Sequence, residues 1–168
     1  VAFKSSIFNL LNLQTDATSS LTLNSQVNRI STVLRGATDI TSADNNELVL
    51  YSYFYPSDQY VSLLRYYTAT TGGTLQVKAD LTPMTANPPI GTPLTAQKRT
   101  FVIIDNYYQP GSTPLFQYLD IGGNTIATPV ADLKMIKSVR VQLAAKGSSG
   151  SNQKMTLEVS LRNRKTNL

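Results

Sequence analysis

The amino-acid sequence predicts an α+β fold in which a long N-terminal amphipathic helix packs on an antiparallel β-sheet, within a single domain over residues 1–168. Three observations lead to this prediction. Apolar residues recur at helical spacing through residue 37, segments rich in β-branched and aromatic residues follow, and two alternating segments close the chain. We therefore assign residues 1–37 to the helix and residues 38–168 to the sheet and its loops.

The helix is predicted over residues 2–36. Gly36 stands where a helix C-terminus favours a residue that tolerates positive φ. The segment TDATSS at residues 15–20 favours caps and turns, so a helix capped by Thr15 or Asp16 is the alternative to the single long helix that we prefer. The apolar residues recur at steps near three, four and seven and form one stripe: Ile7, Leu10, Leu11, Ala17, Leu21, Val27, Ile30, Leu34 and Ala37.

Five segments after the helix have the composition of β-strands. Gly72-Gly73 is a hairpin dipeptide and joins the second of these segments to the third. The sequence DIGGN at residues 120–124 is a predicted turn, and residues 131–135 are predicted to form one short helical turn. The five predicted strands cover residues 48–55, 61–70, 74–82, 99–108 and 115–119.

A closing hairpin is predicted from residues 136–145 and 155–161, joined by GSSGSN. Each strand alternates apolar and polar residues, so one face is buried and the other is solvated. Arg140 would then lie opposite or diagonal to Glu158 on the outer face as an attractive pair. We expect one buried face to hold the apolar residues of both strands, with Val27, Ile30 and Leu34 packed on it: Val139, Val141, Leu143, Leu157, Val159 and Leu161.

Composition excludes several classes of function. The chain contains no histidine and no cysteine, which removes Ser-His and Cys-His nucleophiles, Cys/His zinc sites and disulfides. The ten acidic residues are scattered, and no two suggest a general acid and base. We therefore predict a protein that is not an enzyme and has no catalytic residue, no cofactor and no metal. The net charge of +5 permits weak binding of nucleic acid, although a solvated surface explains it better.

Two segments are candidate contact sites. Residues 83–97 hold four of the eight prolines and form a loop of a length that is usually functional or mobile; its candidate partner-contact residues are Pro83, Asn87, Pro88, Pro89, Ile90 and Pro93. Arg162, Arg164 and Lys165 are candidates for weak DNA contact. The nine tyrosines could stack on a ligand, but we interpret them chiefly as strand residues, and the runs at 44–47 and 120–124 as turns rather than calcium loops.

Three short motifs stand at 34–37 (LRGA), 116–120 (FQYLD) and 159–163 (VSLRN). Together they resemble motifs of the minor pilins and pseudopilins of type IV pili and type II secretion systems, in the W-type minor pilin or J-type pseudopilin branch. The helix ends in Leu34-Arg35-Gly36-Ala37, where the family has a Leu-Arg-any-Ala signature. The run at 116–120, FQYLD, looks like the family's Phe-any-Tyr segment. The closing hairpin ends in VSLRN at 159–163, where the family often has Leu-Arg-Asn.

The resemblance implies a structural minor subunit that helps to initiate or prime filament assembly. Its expected partners are other minor pilins, major pilin subunits and the membrane, the last through an N-terminal hydrophobic helix that is missing here. Val1 agrees with a processed or trimmed chain. The implied location is extracytoplasmic: the inner membrane before assembly, then the pilus or cell surface. No small-molecule substrate is expected.

Two other functions remain open at this point. One is a binding module at the filament tip that holds DNA, a glycan or a surface. The other is a β-rich coat protein, which would share the basic charge and the lack of cysteine. The predicted long helix counts against the coat protein.

Overall fold

The computed structural model describes residues 23–109, 111–146 and 152–162. In this part of the chain the protein is mostly β, with 49% strand in two antiparallel sheets and a helix of 13 residues, α1, over residues 23–35. No helix among these residues has both the length and the apolar character needed to cross a membrane.

The predicted fold class is therefore wrong. A long helix packed on a single sheet is not seen in the described residues, and the predicted helical positions before residue 23 lie outside them. The physical reason lies in how the apolar surface is covered. The strand segments form two sheets whose apolar faces contribute to one core cluster, so most of the described core comes from strands and the 13 described helical residues supply only a part of it.

The first sheet, sheet I, is an antiparallel meander of five strands in chain order. A turn at Gly72 and Gly73, with φ of 59° and 81°, joins the third strand to the fourth, as the sequence predicts. Four of the predicted strand segments match this sheet, whereas the first strand was not predicted. The strands are β1 (Asp39–Asp44), β2 (Glu47–Ser52), β3 (Ser62–Thr71), β4 (Thr74–Pro83) and β5 (Arg99–Ile104).

The second sheet, sheet II, has four strands in the order β7-β6-β8-β9. The predicted turn at 120–124 separates its first two strands in the chain, and the predicted helical turn at 131–135 is confirmed as a 3₁₀ turn at Leu133–Met135. Another 3₁₀ turn covers Thr95–Gln97. The strands are β6 (Phe116–Leu119), β7 (Thr125–Ile126), β8 (Ser138–Lys146) and β9 (Asn152–Ser160).

The closing hairpin is confirmed as β8 paired with β9. Val139 faces Val159, and Arg140 faces Glu158 with its Nη2 atom 2.9 Å from Oε2. Five of the six apolar residues predicted for the inner face are fully buried, but Leu157 is only half-buried and lies at the margin of the core.

The helix stripe and the hairpin belong to one hydrophobic cluster. Val27, Ile30 and Leu34 are each at most 4% exposed and lie in the same core cluster as Val139 and Val159. The cluster extends through both sheets, so direct packing of the stripe on the hairpin face stays a prediction. The hydrogen bond that anchors the helix, however, goes to sheet I, where the Ser52 hydroxyl donates to the Val33 carbonyl at 2.7 Å.

Backbone and side-chain hydrogen bonds join the two sheets. The Tyr107 amide donates to the Leu75 carbonyl of β4 at 2.9 Å, and the next amide, Tyr108, donates to Ala144 of β8 at 3.0 Å. The buried Tyr118 hydroxyl of β6 donates to the Asp44 and Glu47 carbonyls at the β1–β2 turn, at 2.8 and 3.1 Å. The segment after β5 therefore ties sheet I to sheet II along the chain.

Candidate functional site

The proline-rich loop, residues 83–97, connects β4 to β5 and has a defined conformation. Its two arms pair with each other, because the Thr85 amide donates to the Thr92 carbonyl at 3.0 Å and Met84 forms a bridge with Pro93. The Leu94 amide donates to the Pro83 carbonyl at 2.8 Å and closes the base of the loop. The prediction that residues 83–97 form no regular element holds except at Pro83, which ends β4, and at Thr95–Gln97, which form a 3₁₀ turn; the arms between them are paired.

The tip of this loop presents one apolar side chain to solvent. Ile90 is 86% exposed and lies next to Gly91, whose amide donates to the Asn87 carbonyl at 3.1 Å. A Cβ atom on Gly91 would lie 1.7 Å from the Ala86 carbonyl oxygen, so only glycine fits this close approach of two backbone segments. The backbone contact thus holds Ile90 at the tip.

Asn87 connects the loop to the rest of sheet I. Its side-chain oxygen accepts a hydrogen bond at 2.9 Å from the Val61 amide, directly before β3. A groove of about 430 Å³ beside it is lined by Thr38, Tyr53, Val61 and the pair Pro88-Pro89, among others. Of the candidate contact residues, Asn87, Pro88 and Pro89 therefore line this groove, whereas Ile90 lies at the tip of the loop.

A cleft lies next to the base of the loop and faces residues 55–60; we call it the tyrosine cleft. Its volume is about 290 Å³. The buried residues Ser62, Leu81 and Met84 contribute its floor, and Pro83 stands at its side. The remaining lining residues are half-buried or exposed and line its walls and mouth: Tyr55, Asp58, Gln59, Tyr60 and Arg99.

A compact turn positions the wall of the tyrosine cleft. The Tyr55 amide donates to the Asp58 carboxylate at 2.9 Å, and the Asp58 amide donates to the Tyr55 carbonyl at 3.1 Å. Pro56 inside this turn favours such a reversal. The Tyr55 ring also packs edge-on against Phe54, with centroids 4.9 Å apart, and Phe54 stacks on Phe101 of β5. The turn is therefore fixed both locally and to the sheet.

The arginine at the mouth of the tyrosine cleft is available to a ligand. Arg99 is exposed and makes no ion pair or side-chain hydrogen bond with the described residues. The neighbouring Lys98 is engaged elsewhere, with its Nζ atom 2.7 Å from the Asp80 carboxylate. The residues of this cleft are not among those predicted from the sequence, in which the one signal for them is YPSDQY, a turn sequence rich in aromatic and polar residues between two strands.

The basic residues predicted for DNA contact are not brought together with this cleft by any described contact. Arg162 is exposed after the end of β9, and Arg164 and Lys165 lie outside the described residues. Weak DNA contact by these three residues therefore stays a prediction.

The tyrosines divide between core and surface. Tyr66, Tyr107 and Tyr118 are at most 3% exposed, and burial raises the pKa of each hydroxyl, to about 12 for Tyr107. Tyr53 and Tyr55 are 41% and 40% exposed and line the groove and the cleft on the two sides of the loop. Of the buried three, Tyr66 and Tyr118 lie in strands as interpreted, whereas Tyr107 forms an isolated bridge after β5, and the exposed pair lies outside the strands.

A charge network covers the outer face of sheet I. Asp80 is buried at the centre of this face and accepts a hydrogen bond from the Thr100 hydroxyl at 2.7 Å and one from the Tyr67 hydroxyl at 3.3 Å. Burial alone would raise the pKa of Asp80, but the hydrogen bonds from Lys98 and Thr100 outweigh burial and lower it. The Nη2 atom of Arg65 lies 2.5 Å from the Glu47 carboxylate. The Arg65 guanidinium carbon also lies 4.3 Å from the centre of the Tyr67 ring.

The oxygen-rich segments act as turns. Asp120 accepts hydrogen bonds from the Gly122 and Asn124 amides at 2.8 and 2.9 Å, and these bonds, led by Asn124, lower its pKa. Asn46 in the β1–β2 turn accepts from the Leu115 amide at 3.2 Å. No group of three or more acidic, histidine or cysteine side chains suited to a metal is found among the residues that the structure describes.

Compared with protein-family models, curated proteins and solved structures, the chain matches none of them.

Proposed function

We propose that this chain is a structural, non-catalytic subunit of a type IV pilus or of the pseudopilus of a type II secretion system, and that it helps to initiate filament assembly. The proposal rests on the motifs that resemble minor pilins and pseudopilins. It requires only the 13-residue helix that the structure describes, not the long helix predicted from the sequence. Its partners are other minor pilins, major pilin subunits and the membrane. Its location is extracytoplasmic, first at the membrane and then on the filament.

The observation that supports this function best is the junction between α1 and sheet I. Leu34 and Ala37 of the family-like signature are at most 1% exposed, while Arg35 between them is exposed. A Cβ atom on Gly36 would lie 3.2 Å from the Ser52 hydroxyl oxygen, so the helix end approaches β2 closely. Gly36 does not have a positive φ, and this close approach, rather than the predicted left-handed cap, explains the glycine.

This junction suits a subunit that must hold its helix at a fixed angle to its β-rich head. The Ser52 hydroxyl and the Gly36 amide both donate to the Val33 carbonyl, at 2.7 and 3.1 Å, near the end of the helix. Directly after the helix, the Thr38 amide donates to the Tyr51 carbonyl at 2.8 Å and begins the pairing with β2. A neighbour that binds the helix would therefore also orient the head.

The test is a gene deletion in the cell that produces the protein. We expect fewer filaments by electron microscopy, with the level of the major subunit unchanged, and recovery when the wild-type gene is restored. The natural absence of cysteine allows a second measurement. Ile90→Cys at the loop tip should cross-link to another filament subunit in intact cells, whereas Val102→Cys on the outer face of sheet I, 50% exposed, serves as the matched control.

Two results would contradict the assembly role. Normal filament number after deletion, with no cross-link from either position, would remove it. Closed shells formed by the purified chain alone would favour a coat protein. The argument against a coat protein was the predicted long helix, and the 13-residue helix does not supply that argument.

A second candidate function, a binding module at the filament tip, is favoured by the tyrosine cleft and the exposed loop. If this module holds DNA through Arg162 and its neighbours, the affinity must fall steeply as salt rises, because phosphate contacts release counterions. Binding that persists unchanged between low and several hundred millimolar salt would exclude that form of the hypothesis.

A further inference from the structure

The tyrosine cleft combines an apolar floor with aromatic walls. Leu81 and Met84 are buried beneath it, and the rings of Tyr55 and Tyr60 stand at its sides. Its volume of about 290 Å³ lies just below the range for small-molecule sites, ~300–1,000 Å³. A site of this size suits one ring of a ligand, with the rest of the molecule outside.

The polar groups of the cleft have unused hydrogen-bonding capacity. Asp58 uses Oδ2 to accept from the Tyr55 amide, and its Oδ1 atom makes no hydrogen bond with the described residues. Gln59 donates from Nε2 to the Tyr60 hydroxyl at 3.1 Å, which leaves its carbonyl oxygen as an acceptor. Arg99 brings five donors in a planar fork. Carboxylate, amide and guanidinium groups can each bind two neighbouring hydroxyls of one ligand.

Both walls of the cleft are held in place before any ligand arrives. The turn at 55–58 is closed by two hydrogen bonds, and the base of the proline-rich loop is closed by the bond from Leu94 to Pro83 at 2.8 Å. Outside the cleft, Asn87 of the loop accepts a hydrogen bond at 2.9 Å from the amide of Val61, the residue between the wall residue Tyr60 and the floor residue Ser62. Because these walls are already ordered, a ligand loses little affinity to the ordering of the site.

The charge of the cleft favours an uncharged ligand. Among its lining residues one carboxylate, Asp58, is balanced by one guanidinium, Arg99. An anion such as a nucleic acid would be attracted by one group and repelled by the other. A ligand with an apolar ring face and several neighbouring hydroxyls matches the aromatic walls and the planar polar groups together.

From these observations we propose that the tyrosine cleft is a carbohydrate-binding site that takes one pyranose ring, stacked on Tyr60 or Tyr55, with its hydroxyls bound by Asp58, Gln59 and Arg99. The proposal goes beyond the assembly role and does not depend on it.

The test is a titration of the ¹⁵N-labelled chain, followed by amide NMR spectra, with the methyl glycosides of glucose, galactose, mannose and N-acetylglucosamine. We expect at least one of them to give saturable shifts at residues 55–62 and Arg99, with a dissociation constant on the order of millimolar. Ethylene glycol, which has neighbouring hydroxyls but no ring, should give no saturable shift. If none of the four glycosides saturates, the proposal fails, while the assembly role is unaffected.

Matched variants locate the binding. Tyr60→Ala and Arg99→Ala should each weaken binding by roughly tenfold or more, since they remove the stacking surface and the charged donor. Tyr53→Ala and Arg35→Ala change the same residue types outside the cleft and should bind as the wild type does. Gln59→Ala, at an exposed position, gives a third variant should Tyr60→Ala disturb the fold in the same spectra. Wild-type affinity in all cleft variants would overturn the assignment.

Discussion

Asp80 shows how a single residue can carry an electrostatic network on an open sheet face. It is buried because Lys98, Tyr67, Thr100 and Arg65 surround it on the solvent side. A buried carboxylate is stable only when it is paired and hydrogen-bonded. These partners come from β3, from β5 and from the residue before β5, so that with Asp80 on β4 the network connects all three strands through their side chains.

Asp80→Asn should destabilise the protein by about 1–3 kcal/mol at pH 7, because it removes the charge that pairs with Lys98. The folded pKa of Asp80 is lowered, so its contribution is fully present above the unfolded pKa of about 3.9 and is lost as the pH falls through the folded pKa. The difference from wild type should therefore shrink toward pH 2. Urea unfolding at both pH values measures it.

Glu158→Gln is the control for this prediction. Its partner is Arg140, and both side chains are more than a third exposed, so we expect a loss within about 1 kcal/mol. An Asp80→Asn effect no larger than this control, or one that does not change with pH, would mean that the network contributes little.

The strands were predictable where side-chain alternation is strong, and less so elsewhere. β8 and β9 alternate apolar and polar residues and were predicted as partners, with Arg140 opposite or diagonal to Glu158; the structure places the two residues directly opposite each other. β1, with the sequence DITSAD, has two apolar residues among polar ones, and its strand forms because Ile40 and Ala43 are covered by the core. Tertiary burial therefore determined an element that local pattern did not reveal.

The helix and the tyrosine cleft show two further limits of prediction. A helical spacing of apolar residues cannot say how much core a helix must cover, because that amount depends on whether the strands make one sheet or two. The cleft joins residues 55–60 to Leu81 and Arg99, which come close only through the β3–β4–β5 pairing. Short sequence motifs do not encode that proximity, so its residues could not be selected beforehand.

Two leucines in the closing hairpin allow the packing at the centre of the core to be compared with the packing at its margin. Leu143 on β8 is 1% exposed, whereas Leu157 on β9 is half-buried at the margin. We expect Leu143→Ala to lower the free energy of unfolding by about 2–5 kcal/mol, because it removes a side chain from close packing. Leu157→Ala should cost less than half as much. Equal losses in chemical unfolding would show that the margin is as tightly packed as the centre.

At the scale of the whole molecule, the helix and both sheets share one hydrophobic cluster. Tyr66 of sheet I and Tyr118 of sheet II both belong to it and are fully buried. No described element has a core of its own that is separate from this cluster. The cluster explains why a short helix, a five-stranded sheet and a four-stranded sheet form one unit.

The shared cluster predicts a single cooperative unfolding transition. Amide hydrogen exchange at Tyr66 and at Val141 should therefore report the same free energy of opening, although these residues lie in different sheets. Exchange at Thr74, next to the exposed β3–β4 turn, should be faster and gives the local reference. Two distinct free energies for the central residues would show that the sheets open independently.

The short segment between β5 and β6 has a mechanical consequence. Asn106, Tyr107 and Tyr108 bond to β4 on one side and to β8 on the other, through Leu75, Ala144 and Lys146. A tensile load that pulls the two sheets apart would act on these three hydrogen bonds at the same time. The bonds would then have to break together rather than one after another. Resistance to such a load depends on how fast the domain unfolds rather than on its equilibrium stability, so the contribution of these bonds would be measured in the unfolding rate under force.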